Sequence, residues 1–134
     1  MKNYNLYNKD VGNLGEVSIC HYLTDLGYEI VYRNYTIKGG EIDIIACDNQ
    51  NILFVEVKTR IHNSLTNGFQ AITRTKKRCI IKTASYFCSN YTIKLQPRFD
   101  VAEVIIDDFQ NVLDIQYYPN AFDTTNFGIF IPTY

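Results

Sequence analysis

Residues 39–60 read GGEIDIIACDNQNILFVEVKTR, and the fold turns on this stretch. A Gly-Gly pair opens it, and Glu41 to Cys47 follow as an apolar run. Asp48-Asn49-Gln50-Asn51 then form a turn, and Ile52 to Arg60 make a second run rich in β-branched and aromatic residues. Two strands joined by a polar turn are predicted. Side chains alternate along a strand, so Glu41 and Asp43 share one face of the first. Phe54, Glu56 and Lys58 share one face of the second, opposite Leu53, Val55 and Val57. Upstream, Glu29 to Tyr35 also alternates and leads into Lys38-Gly39-Gly40, which makes a three-strand meander.

Outside the meander, Leu14, Val17, Cys20, Leu23 and Leu26 recur at three-residue steps. They predict an amphipathic helix from Asp10 to a stop at Gly27. Residues 61–68 are polar, and Phe69 to Ser89 runs without Pro or Gly on a helical period. Arg98 to Asp107 and Val112 to Tyr118 read as fourth and fifth strands, giving the order αβββαββ in one α/β domain over residues 1–122. Residues 123–134 form a C-terminal tail without a usable period, not a separate domain. The 134 residues are 46% hydrophobic and 20% charged, with 11 Tyr and 8 Phe. This composition suits one globular core and excludes disorder, collagen and coiled coil. The longest apolar runs, Ile52 to Val55 and Val104 to Ile106, fall far short of the roughly 20 residues of a membrane span. The opening residues lack a signal-peptide core. Cys20, Cys47, Cys79 and Cys88 form no CxxC pair and read as reduced thiols. A cytoplasmic protein without a membrane partner is expected.

The net charge of −1 hides a segregation. Residues 1–56 hold four Lys/Arg and eight Asp/Glu, residues 57–99 hold nine Lys/Arg and no acid, and residues 100–134 hold six acids and no base. Arg60, Arg74, Lys76, Lys77, Arg78 and Lys82 lie after the third strand and along the second helix, where they suit phosphate contacts. Arg74, Lys77, Arg78 and Lys82 fall at three- and four-residue steps on one face, and Lys76 points elsewhere. If the second and third strands pair, Glu41, Asp43, Glu56 and Lys58 converge. Alone, a Glu-x-Lys is an ordinary cross-strand charge pair. With an acid on the preceding strand, the oxygen donors suit Mg²⁺ or Mn²⁺, and the lysine suits a water or a developing phosphate charge. Phosphodiester hydrolysis is the chemistry indicated. Arg98 and Asp100, on alternate positions of the fourth strand, read as a structural ion pair near this site. His21 and His62 carry no metal role.

Gly15-Glu16, Gly27-Tyr28, Arg33-Asn34, residues 40–46, Phe54 to Arg60, Lys76, Ala84 and Arg98 to Val101 occur in an order that resembles the YraN-like family of small bacterial proteins. That family is an uncharacterised branch of the restriction-endonuclease-like PD-(D/E)xK superfamily, similar to archaeal Holliday-junction resolvases. The resemblance covers roughly residues 8–122. It implies a restriction-endonuclease-like core of αβββαβ order, with a mixed central sheet flanked by helices. It also implies a Mg²⁺- or Mn²⁺-dependent endonuclease acting on DNA rather than RNA, with branched or single-stranded substrates in view. Asp43 corresponds to the superfamily's first metal-binding acid, Glu56 and Lys58 to its (D/E)-x-K pair, and Glu16 to a further acid near the metal. Glu41 is then a supporting carboxylate, and Gln70 resembles a polar residue used by some of these nucleases. The family's usual proline before the helical lysine is absent, Arg74-Thr75 standing there. A symmetric homodimer follows by analogy. The alternative is a catalytically inactive nucleic-acid-binding module of the same fold, acting in DNA processing or uptake.

Overall fold

The computed structural model describes residues 4–62 and 72–134, with side chains from Val11 onward. The elements run α1 (Tyr4–Asp25), β1 (Glu29–Ile37), β2 (Gly40–Cys47), β3 (Asn51–Ile61), α2 (Arg74–Tyr91), β4 (Gln96–Ile106) and β5 (Val112–Phe122). One five-stranded sheet holds the strands in the order β1-β2-β3-β4-β5. β1, β2 and β3 form the antiparallel meander, β3 and β4 run parallel, and β5 returns antiparallel. A parallel neighbour cannot be reached by a tight turn, so α2 carries the crossover. Among the described residues, no helix is long and apolar enough to cross a membrane.

The helices cover opposite faces. Ile19 and Leu23 of α1 pack on Ile44, Leu53, Val55, Ala102 and Val104. Ile80, Ile81, Ala84 and Phe87 of α2 pack on Ile42, Ile45, Phe54 and Phe99. The central strand β3 is therefore covered on both sides, and Ile52 to Val55 are buried without alternation.

Each helix has an identifiable stop or start. α1 ends as expected: Gly27, at φ 97°, lets its own N–H donate to the Thr24 carbonyl and that of Tyr28 to Leu23. It starts at Tyr4, six residues before the expected Asp10; Tyr4, Tyr7, Val11 and Leu14 carry a helical period through these turns that the expected start left out. α2 starts later than expected. Thr73 caps it, its hydroxyl accepting from the Lys76 N–H, so Ile72 and Thr73 precede the helix. The expected start at Phe69 and the candidate Gln70 lie outside the described residues.

Candidate active site

Three local features build the site. The first is a fork between β2 and β3. Their paired register runs from Cys47↔Ile52 to Ile44↔Val55, and the Asp43 carboxylate accepts the Val57 N–H at 2.8 Å in place of a further rung. Where the strands part, a side chain satisfies the backbone donor and is itself oriented by it. The second feature is Asn34, at φ 54° within β1. This left-handed residue breaks the alternation: Arg33 turns toward α1 and Tyr35 packs against Phe87 of α2. The third is the uninterrupted β3–β4 ladder, which sets Lys58 beside Glu103.

Of the four residues expected to converge, two meet. Glu56 is 6% exposed and hydrogen-bonds with Asp43, whose carboxyl feels the Glu56 charge. Burial, then the Glu56 charge, pushes the Asp43 carboxyl up to about 7. Glu41 is exposed and acts on Asp43 only through its field, more weakly than Glu56. Lys58 is exposed on the α2 face of β3. The cation at the pair is Lys76, whose Nζ lies 3.6 Å from Glu56 Oε1. Its off-stripe position on α2 aims it at the sheet.

Glu16 stands on the α1 side. Its carboxylate accepts from Arg33 at 3.3 Å, and Arg33 also donates to Asn13 at 3.0 Å. Burial, followed by the Asp43 charge, raises the Glu16 carboxyl, while Asn34 and Arg33 oppose the shift. Glu16 thus senses Asp43 electrostatically. Among the described residues, no three His, Cys, Asp or Glu side chains gather as a metal-holding group, so the close pair is Asp43 and Glu56. Two hard oxygen donors whose mutual repulsion a cation relieves have the chemistry of a divalent-ion site.

Several basic residues turn inward rather than toward a ligand. The Arg60 guanidinium pairs with Glu103, which is 2% exposed and whose Oε2 is buried without a hydrogen-bond partner among the described residues. Arg74 donates to the Asn126 carbonyl at 2.6 Å and lies over the Phe127 ring. Arg78 donates to the Phe127 carbonyl, and Lys77 lies over the Phe122 ring. Arg74, Lys77 and Arg78 do converge, as their spacing predicts, but on the C-terminal segment of their own chain. With it, Arg74 and Lys77 line a cavity of about 430 Å³. Lys82 is exposed.

The Arg98–Asp100 pair is present. Two guanidinium nitrogens meet the fully buried Asp100 at 2.8 and 2.9 Å, and Tyr117 and the Asn120 N–H complete its shell. Tyr117 stacks on Tyr22 of α1, so this network lies on the sheet face opposite Glu56. Sequence reasoning overlooked Glu103. The signal was there: an acid inside the apolar run Val101 to Ile106, on the strand that neighbours β3.

A family model described as "Uncharacterised protein family UPF0102" matches residues 15–104. A UPF0102 protein of Caldicellulosiruptor saccharolyticus is 44% identical over 117 residues, covering 85% of this chain and 98% of that one. A UPF0102 protein of Clostridium botulinum is 41% identical over 117 residues, covering 86% and 95%. One of Clostridium kluyveri is 38% identical over the same length, covering 87% and 96%.

Proposed function

Starting from the fact that the chain belongs to the uncharacterised UPF0102 (YraN-like) family, we propose that it is a metal-dependent endonuclease that hydrolyses phosphodiester bonds in DNA. The observation that carries this is the Asp43–Glu56 pair at the β2–β3 fork, Glu56 buried and Asp43 half-buried, with Lys58 two residues beyond Glu56. The two-helix, five-strand mixed sheet is compatible with the restriction-endonuclease-like core that the sequence resembles.

Asp43 and Glu56 would hold a Mg²⁺ or Mn²⁺ ion, with Glu16 adding negative charge from α1. When bound, that ion supplies the positive charge that stabilises the anionic phosphate during attack by water. The Val57 N–H fixes the Asp43 carboxylate. Lys76 balances Glu56, so the pair does not carry two uncompensated charges. Lys58, exposed on the same strand face, orients the attacking water or steadies the departing oxygen. Glu41 adds to the field that draws in a cation.

A second reading, a nucleic-acid-binding module without catalysis, is favoured by one observation: Lys76, rather than Lys58, is the cation seated on Glu56. The deciding experiment is cleavage of labelled four-way junction, flap, duplex and single-stranded DNA with Mg²⁺ or Mn²⁺, beside the Glu56→Ala protein. Cutting that needs the metal and disappears in the variant sustains hydrolysis. Binding without cutting by either protein shifts the conclusion to the module, and cutting by both marks a contaminant.

A further inference from the structure

Beside the fork lies a surface of a different kind. Tyr32 and Tyr35 of β1 meet edge to face with ring centroids 5.2 Å apart. Tyr35 meets Phe87 of α2 at 5.1 Å, and Phe87 meets Tyr91 at 4.7 Å. Tyr35 and Phe87 are buried and form a floor, while Tyr32, Tyr86 and Tyr91 are 45%, 52% and 57% exposed. The rings of Tyr32, Tyr35, Phe87 and Tyr91 thus form one continuous chain of contacts, and exposed Tyr86 precedes Phe87 on α2. Single exposed aromatics are ordinary. A contiguous group supported from beneath by other rings marks an interaction surface.

Its charge narrows the partner. α2 contains no acidic residue. Lys82 is exposed one helical turn before Tyr86 and shares its face. Lys76, further back on the same helix, touches Glu56. Along the helix, Lys76 to Tyr86 spans about 15 Å. On the sheet, Tyr35 lies in register opposite Ile42, the neighbour of Asp43. A strand laid on the patch thus has about 15 Å of helix to follow to Lys76 and the carboxylate it pairs with, and Asp43 is the next residue of β2 after Ile42. A second copy meeting this face about a twofold axis would set the same acid-free helix against itself, with no carboxylate from α2 to pair with Lys82. A polyanion with exposed ring faces meets both the charge and the rings.

We propose that Tyr32, Tyr86 and Tyr91, with Lys82, form a stacking platform for the unpaired bases of a single-stranded nucleic acid whose backbone leads to Asp43 and Glu56. What happens at the carboxylates rests on the hydrolytic reading; binding does not. Every base presents a π-face to a tyrosine, and a duplex hides those faces, so the platform selects unpaired strand over duplex without reading sequence.

Fluorescence anisotropy in EDTA tests this with labelled oligo-dT, an abasic strand of equal length and a duplex. Tyr86→Ala, a surface change, should weaken oligo-dT binding about tenfold. Combining it with Tyr32→Ala and Tyr91→Ala should weaken it about a hundredfold, and Tyr86→Trp should restore the single loss. Duplex affinity should move less than about twofold, and the abasic strand should bind the parent as weakly as oligo-dT binds the triple variant. An unmoved oligo-dT affinity in a folded Tyr86→Ala protein overturns the platform, as does an equal loss for the abasic strand. So does sedimentation in which the variants abolish a dimer while oligo-dT binding stays. The two proposals fail separately. Tyrosine-dependent binding without any metal-dependent cutting keeps the platform and removes hydrolysis, whereas Glu56-dependent cutting with binding unmoved by the tyrosines removes the platform alone.

Discussion

Asp43 is where the fold works against a charge. Burial and the adjacent Glu56 raise its carboxyl from 3.8 to about 7, so the native state prefers it neutral. Its contribution to stability is fully present below the ordinary value and is lost as pH rises through about 7. Metal-free thermal melts between pH 4 and 8 should show that decline in the parent. The Asp43→Asn protein, which keeps an acceptor for the Val57 N–H, should lack it and be more stable at pH 8 by roughly 1–4 kcal/mol. Mn²⁺ at pH 8 should raise the parent's Tm and leave the variant's unmoved. A variant with the parent's slope would put the titration on another group.

Between elements, two glycines set how closely the helices approach the sheet. A Cβ on Gly15 of α1 would lie 1.8 Å from Thr59 Oγ1 of β3, and one on Gly40 of β2 would lie 2.0 Å from Thr83 Oγ1 of α2. The first contact seats the turn that carries Glu16; the second brings α2, and with it Lys76, onto the start of β2. Alanine is the better helix former by about 1 kcal/mol, yet Gly15→Ala should destabilise by about 2 kcal/mol in urea unfolding, because the branched Thr59 has little freedom to yield. Adding Thr59→Ala should recover most of that loss. Simple additivity of the two changes would mean that the helix does not rest on this contact.

At the scale of the molecule, residues after β5 close the α2 side of the core. Phe127 is buried there, with Ile129 and Ile131 against the same cluster. The Ser85 hydroxyl donates to the Phe130 carbonyl at 2.9 Å, and the Tyr134 N–H donates to the Ile93 carbonyl at 3.0 Å. Arg74 and Arg78 hold the near end of the segment. Deleting residues 124–134 should lower stability by at least about 4 kcal/mol, and Phe127→Ala alone by about 3 kcal/mol. The same deletion releases both guanidinium groups, so it should steepen the salt dependence of any DNA binding. A urea midpoint unchanged by the deletion would show that the segment is not part of the core.

What the sequence determined by itself was whatever depends on local periodicity. The alternating runs around Asp43 and Glu56, the stop at Gly27 and the helical spacing of Arg74, Lys77 and Arg78 fixed the order of elements and the faces that side chains share. Glu56 was legible from the parity of its strand and Asp43 as an acid inside an apolar run, although Ile42 and Ile44 on either side of it pack on opposite faces. Only the tertiary structure decided which charges meet. The fork separates Glu41 and Lys58 from the pair, Lys76 arrives across the crossover from α2, and Asn34 reverses the parity of β1 so that Arg33 reaches Glu16. It also turned Arg60 onto Glu103 and the basic stripe onto residues 122–127, and gathered Tyr32 and Tyr35 with Tyr86 and Tyr91. These partners lie tens of residues apart in the chain. Their meeting depends on strand register, the opening of one ladder and the approach distance of a helix, and none of these leaves a period in the sequence.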